Sequence, residues 1–304
     1  MWDNIDHALN KLKTSSQAQW SGYAGFYSSW LGGYFNEPWA MVVPMDDHGF
    51  HRGDGVFEAV RIHERAYFDL QSHLKRLLNS AQRIGIKPYG SVEELQKILL
   101  DLAKRCELNA GLLRLYMTRG PGGFSPNPEE SVATQLYAAI TSMKPPNMDR
   151  YKNGVTCMVS QTGAKDPKYT GIKSLNYLQN VLMRKECHDQ GFDFAVCTDV
   201  NGKVHEGATE NIMIITKNKD MVVPKFDYTL RGTTVTLLMK IAEEKAKDFG
   251  LKEVRFADLT VNDVKSASEA AFVGTTLGVL PIASLDKEPI GEGRGGSVCL
   301  ALND

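Results

Sequence analysis

Ile172-Lys173-Ser174-Leu175-Asn176-Tyr177-Leu178 sets a lysine directly ahead of a helical run. Leu175, Leu178, Val181 and Leu182 recur at the spacing of one helix face, and Ser174 suits a cap. The spacing predicts a helix from about Leu175 to Gln190. Taken singly, such a lysine is a solvent-facing cation. Held in a pocket it is an amine, and amines with the ordinary lysine pKa of about 10.4 attack carbonyls only once burial or a nearby cation activates them. A lysine so activated forms a Schiff base with an aldehyde.

Around this segment the chain alternates strand and helix signals. Upstream, strands are expected at Ala40–Pro44, Gly55–Ile62, Leu112–Thr118 and Gln135–Thr141. Between them, a helix capped by Ser72 carries the stripe Leu74, Leu77, Leu78, Ala81 and Ile84, and a second starts at a Ser91/Glu94 capping box and runs to about Cys106. Downstream, strands are expected at Val155–Ser160, Phe194–Thr198, Asn211–Ile215, Glu253–Phe256 and Ala270–Val273, with a helix from about Thr233 to Phe249. Met143–Gly154, with paired prolines and no apolar period, reads as a linker. The fold class is therefore α+β in two parts: residues 36–145 a smaller α+β domain and residues 155–304 a larger one. Residues 1–35 form an N-terminal extension, in which residues 1–13 are amphipathic and the uncharged, aromatic-rich stretch from Thr14 to Phe35 reads as a first strand with packing loops.

Composition narrows the function classes. The 304 residues carry a formal net charge of −1, which argues against a broad nucleic-acid-binding surface. Five cysteines, an odd number without a Cys-x-x-Cys pair or zinc-finger spacing, point to a reducing compartment and to no metal site. No apolar run approaches the roughly 18 residues of a membrane span, so the expected setting is the cytoplasm.

Other residues join Lys173 as candidates. Glu206 follows the Asn201-Gly202 turn and precedes an apolar strand, as a strand-end carboxylate or as the partner of a positive ring nitrogen. Gly232-Thr233-Thr234 opens a helix and Gly274-Thr275-Thr276 follows a strand. Free backbone N–H groups and hydroxyls there suit a phosphate, although ordinary capping accounts for either alone. Arg76 lies opposite the leucine stripe of its helix, as a solvated arginine would.

In this order, the pieces resemble the fold-type IV pyridoxal-phosphate enzymes: branched-chain aminotransferases, D-amino-acid aminotransferases and aminodeoxychorismate lyases. The resemblance covers about residues 36–285. It rests on Asp47-His48-Gly49-Phe50, Gly53-Asp54-Gly55-Val56-Phe57-Glu58, His73-Leu74-Lys75-Arg76-Leu77, the Lys173 segment, Glu206-Gly207-Ala208-Thr209-Glu210-Asn211, Leu230-Arg231-Gly232-Thr233-Thr234 and Gly274-Thr275-Thr276. It implies a two-domain fold with pyridoxal 5′-phosphate between the domains. Lys173 would bond the cofactor and shuttle the proton at the substrate Cα, Glu206 would keep the pyridine nitrogen protonated, and Tyr177 would contact the phenolic oxygen. Arg76 would grip the phosphate, with Gly232, Thr233, Thr234, Thr275 and Thr276 around it. It also implies a homodimer.

The resemblance divides over the substrate. The arginine usual after Gly-Ile/Val-Thr is replaced by Val235. Arg52 stands where branched-chain members often carry tyrosine, and Phe57 where D-amino-acid members do. The D-amino-acid family's Arg-x-His pair is absent from Arg119–Pro128. Thr118-Arg119-Gly120-Pro121-Gly122-Gly123 and Gly278-Val279-Leu280-Pro281 look lyase-like, whereas Glu58 sides with the transaminases. The expected activity is transfer of an amino group between an amino acid, branched-chain-like or D, and a 2-oxo acid. The alternative is a 4-amino-4-deoxychorismate lyase releasing pyruvate and 4-aminobenzoate. Arg52, Phe57 and Arg119 are the substrate-side candidates, the two arginines because guanidinium grips carboxylate bidentately.

Overall fold

A computed structural model describes residues 4–14, 18–144 and 146–303. It divides into two compact units, Met1–Lys144 with Lys173–Asn176, and Pro145–Ile172 with Tyr177–Asp304.

The first unit contains α1 (Ile5–Thr14), β1 (Tyr23–Ser28), β2 (Gly33–Phe35), α2 (His48–Arg52), β3 (Gly55–His63), β4 (Ala66–Tyr67), α3 (Leu70–Arg83), α4 (Val92–Cys106), β5 (Gly111–Thr118) and β6 (Gln135–Ser142). Its six strands form an antiparallel sheet in the order β2-β1-β6-β5-β3-β4. Alternation along the strands sends Val56, Val60, Leu113, Leu115, Leu136 and Ile140 to one face, and all six are fully buried. The stripes of α3 (Leu74, Leu77) and α4 (Leu95, Leu99, Leu102) supply the buried apolar side chains that pair with such a face.

Three expectations change here. Residues 1–35 are not simply an extension, because β1 lies between β2 and β6 and stacks Phe26 on Phe35 at 5.3 Å between centroids. Ala40–Pro44 is not a strand. Pro38 opens a single 3₁₀ turn, Pro38–Ala40, and the prolines on either side lack the N–H a ladder needs. Nor does Ser72 cap its helix, since burial of Leu70 extends the apolar stripe one turn back and Asp69 becomes the N-cap residue. The Ser91/Glu94 box does form, with Ser91 N donating to Glu94 Oε2 at 2.7 Å and Glu94 N to Ser91 Oγ at 3.2 Å.

The second unit contains α5 (Met148–Asn153), β7 (Val155–Val159), α6 (Pro167–Thr170), α7 (Leu178–Asp189), β8 (Phe194–Thr198), β9 (Lys203–Gly207), β10 (Asn211–Ile215), β11 (Asp220–Pro224), α8 (Thr233–Glu244), β12 (Glu253–Ala257), β13 (Leu259–Thr260), α9 (Val261–Lys265), β14 (Glu269–Gly274), β15 (Gly278–Leu285), β16 (Glu288–Pro289) and α10 (Ser297–Ala301). Strands β10-β14-β15-β7-β8-β9 close into a barrel, because β9 returns to β10 through the pair Glu206 and Asn211. One apolar cluster contains Val155, Val196, Ile212, Phe272 and Ile282. A second packs Val235, Leu238 and Met239 of α8 with Met213, Ala271 and Val273.

The stretch read as linker is not bare chain. Asn147 caps α5 by accepting from Asp149 N at 3.0 Å, and buried Tyr151 donates its hydroxyl to the Leu277 carbonyl at 2.7 Å. The helix after Lys173 starts at Leu178, three residues later than its spacing suggests. Leu175 is extended instead, with its N–H on the Gly55 carbonyl at 2.9 Å. Ser174 consequently caps nothing and pairs with Val56. Among the described residues no helix is long and apolar enough to cross a membrane, and no three His, Cys, Asp or Glu side chains cluster as a metal site would require.

Candidate active site

In the first unit the Lys173 segment is laid along β3. Phe57 N donates to the Lys173 carbonyl at 2.9 Å, and Lys173 N donates to Ser80 Oγ of α3 at 3.3 Å. A Cβ on Gly55 would meet Leu175 Cδ1 at 2.6 Å and the Met117 carbonyl at 3.0 Å, so the strand and the Lys173 segment lie close together here. The half-buried Lys173 side chain is thereby directed over Phe57, with Nζ 4.5 Å from the ring centroid. Phe57 thus belongs to the amine's surroundings.

Arg76 is not the solvated arginine that its helix face suggested. Its side chain is 13% exposed and forks onto Glu58, Nε to Oε1 and Nη2 to Oε2, both at 2.7 Å. Burial works to raise the Glu58 pKa, but the hydrogen bonds from Arg76 and His73 more than offset it and bring the carboxyl down to about 2. His73, Arg76 and Ser80 recur at three- and four-residue intervals and so share one polar stripe of α3.

Arg119 leaves the substrate-side set. Its Nε and Nη2 grip Asp54, Nη1 donates to the Gly85 carbonyl at 2.9 Å, and Nη2 also donates to the Ile84 carbonyl at 2.8 Å. A guanidinium so committed ties the end of α3 to the loop before β3 and acts as structure. Arg52 is exposed at the end of α2, donating to the carbonyls of His51 and Phe124.

In the second unit the β9–β10 closure sets out the remaining candidates. Glu206 Oε2 accepts Leu230 N at 2.9 Å, and Asn211 Nδ2 donates to the Leu230 carbonyl at 3.0 Å. The turn entering α8 is pinned between them, so tightly that a Cβ on Gly232 would lie 2.0 Å from Asn211 Oδ1. Gly232 is the N-cap of α8 and has no side chain to cap it, and the helix dipole at this end favours an anion. Thr234 Oγ1 and Thr275 Oγ1 lie 3.5 Å apart, whereas Thr276 is exposed and Thr233 half-buried. Tyr177 is the N-cap residue of α7, and Lys165 Nζ sits 5.0 Å from its ring centroid.

Four residues of interest escaped the sequence reading. Glu58 served there only as a family marker, and His73 carried no role. Lys165 is a half-buried ammonium whose pKa burial lowers, while the Glu206 carboxylate acts to raise it. Arg114 lies opposite Ala59 and so on the sheet face of Phe57, a placement that only the strand register reveals.

These donors suit a phosphorylated aromatic aldehyde. In the first unit the Lys173 amine suits an aldehyde and the Arg76 guanidinium an anion; in the second, the Glu206 carboxylate suits a ring N–H, and the hydroxyl pair with the start of α8 suits an anion.

A family model described as amino-transferase class IV matches residues 55–285. The chain is 33% identical over 283 residues, 93% of its length and 75% of the other's, to a chloroplastic D-amino-acid transaminase of Arabidopsis thaliana. Among solved structures it is similar to the branched-chain amino acid aminotransferase of Escherichia coli, at TM-score 0.81, 27% identity and coverage of 92% of this chain and 91% of that one. It also shares its fold with the 4-amino-4-deoxychorismate lyase of Pseudomonas aeruginosa, at TM-score 0.75, 23% identity and coverage of 91% and 96%.

Proposed function

The chain belongs to the class IV aminotransferases and is a pyridoxal-phosphate-dependent transaminase, and from that premise we propose that its amino donor is a D-amino acid and its acceptor a 2-oxo acid with a second carboxylate. The observation that carries the donor is the likeness, along nearly the whole chain, to a D-amino-acid transaminase. The acceptor is supported by two arginines on the sheet face of Phe57. Arg61 follows Phe57 and Ala59 at two-residue intervals, and its Nε is buried without a hydrogen-bond partner among the described residues, while Arg114 is exposed opposite Ala59. Guanidinium pairs suit carboxylates.

When bound, pyridoxal phosphate supplies an aldehyde for the substrate amine and a ring that draws electrons from the substrate Cα. Lys173 would move the proton at Cα, Glu206 would hold a proton at the ring nitrogen, and Tyr177 would meet the phenolic oxygen. Arg76, Thr234, Thr275 and the start of α8 would hold the phosphate, with Thr233 and Thr276 flanking them. Apolar Phe57 keeps the amine's surroundings dry.

Titration with single amino acids, D and L separately, tests the donor through the loss of the long-wavelength absorbance of the loaded enzyme. D-amino acids are expected to bleach it and a dicarboxylic 2-oxo acid to restore it. A response confined to branched L-amino acids overturns the proposed donor in favour of the branched-chain reading. Release of pyruvate from aminodeoxychorismate without an amino acceptor assigns the lyase.

The proposed assembly is a homodimer. Leu178, Val181 and Leu182 stand on one face of α7 at 70%, 56% and 48% exposure, and Met45 and Phe50 in the first unit are also exposed. Sedimentation should give twice the chain mass of 33.7 kDa, and a single-chain species at working concentration rejects the dimer. The five free cysteines support a reducing compartment such as the cytoplasm.

A further inference from the structure

We propose that an apolar cavity of the first unit receives the side chain of the amino donor and selects D-amino acids with an aromatic side chain. The inference rests on the proposed D-amino-acid donor and adds the class of its side chain.

Strand register builds one row across the sheet. Phe57 lies opposite Tyr116, Tyr116 opposite Tyr137, and Tyr137 opposite Ser28. Residues directly opposite share a face, and alternation puts this row on the other side of the sheet from Val56, Leu115 and Leu136. Lys173 Nζ sits over the Phe57 ring at 4.5 Å, and Phe57 stacks with Tyr116 at 6.3 Å between centroids. Beside this row lies a cavity of about 320 Å³, walled in part by Phe26, Met41, Val42, Val43, Tyr116 and Leu175. That volume falls within the roughly 300–1,000 Å³ of small-molecule pockets. Tyr116 is thus both a wall of the cavity and the neighbour of the ring beneath the amine, and Leu175 follows Lys173 by two residues.

The chemistry of the lining selects what enters. No charged side chain lines the cavity. Most of its hydroxyls are already engaged. Tyr137 and Thr118 donate to Asp47 at 3.1 and 2.9 Å, Tyr27 pairs with Tyr89 at 3.0 Å, and Ser28 Oγ accepts Leu31 N at 3.2 Å. The Tyr116 hydroxyl makes no hydrogen bond among the described residues, which leaves one polar group in an otherwise apolar lining. A charged side chain placed there loses its water with no ion to pair with, whereas an aromatic ring meets other rings and an aliphatic wall. A methyl side chain leaves the space unfilled. Arg114, on the acceptor side, stands two residues before Tyr116 on β5 and lines no part of the cavity, so the carboxylate end and the apolar end of this face are distinct.

The test measures the apparent second-order rate constant with which D-phenylalanine and D-alanine bleach the loaded enzyme, a half-reaction that needs no acceptor. D-phenylalanine is expected to exceed D-alanine roughly 10- to 100-fold. Half-buried Ala139 follows Tyr137 by two positions on β6, pairs with Phe26 and lines the cavity. Ala139→Leu fills the space and is expected to cut the ratio of the two rate constants by about tenfold or more. Val43→Trp narrows the cavity from its loop side and carries the test if Ala139→Leu does not fold. Bleaching by no D-amino acid overturns the donor reading and the proposal with it. Bleaching by D-amino acids with D-alanine equal or better, or with a ratio that the filled variant leaves unchanged, overturns the cavity's role alone. Equal losses on both substrates, with the variant sedimenting as a single chain and the parent as a pair, assign the cavity to a second copy of the chain and overturn the proposal as well.

Discussion

Lys173→Ala is expected to abolish transamination, with turnover falling by about 10⁴-fold or more, because one substitution removes the group proposed both to bond the cofactor aldehyde and to move the Cα proton. The amine's place is set by backbone rather than by side-chain chance. Its carbonyl accepts Phe57 N and its N–H reaches Ser80, so the strand pairing that orients the side chain survives truncation to Cβ. The variant should therefore keep its fold and lose its chemistry. Two measurements check this. Steady-state assay gives the turnover, and borohydride reduction followed by peptide mass mapping locates the cofactor. In the parent the added mass belongs on the peptide containing Lys173, and the variant should carry none. Activity within about a hundredfold of the parent, or mass attached to Lys165, overturns the assignment.

How far this arrangement was legible in the sequence depended on whether a signal was local. The Ser91/Glu94 box lies three residues apart on one helix turn, and both its hydrogen bonds form as read. Alternation along β3, β5 and β6 is equally local, and those strands appear within a residue of their expected ends. The segment around Lys173 misled because Leu175 fits a helical period, yet its N–H is taken by Gly55, 120 positions earlier in the chain. Tertiary pairing overrode the local period there. Residues 14–35 lacked charge and so gave no alternation to read, and only the register with β6 shows β1 to be an inner strand. Arg76 and Arg119 looked alike as isolated arginines. Their carboxylate partners, Glu58 and Asp54, are 18 and 65 positions away, so neither pairing shows in the local sequence.

Glu206→Gln is expected to lower kcat by roughly 10²- to 10³-fold, on the scale of losing one charged contact that acts most strongly in the transition state. In the proposed role an ionised carboxylate favours a proton on the ring nitrogen, whereas a neutral amide offers no charge to hold that proton. The substitution separates charge from scaffold. Glu206 Oε2 already accepts Leu230 N at 2.9 Å, and the amide oxygen of glutamine accepts the same hydrogen bond, so the turn into α8 stays pinned. Asn211 holds that turn independently through the Leu230 carbonyl. The parent and variant should therefore melt within a few degrees of each other and retain comparable affinity for pyridoxamine 5′-phosphate. Lys165 sharpens the expectation. The Glu206 carboxylate works to raise the Lys165 pKa, so the two groups sense each other's charge, and an ammonium left without that anion would disfavour a protonated ring. Glu206→Gln with Lys165→Met should then recover part of the lost kcat, whereas the two losses simply add if Lys165 does not sense the same charge. A Glu206→Gln enzyme with parental kcat, or one whose loss matches a fall in melting temperature, removes Glu206 from the chemistry and leaves it as a strap for the α8 turn.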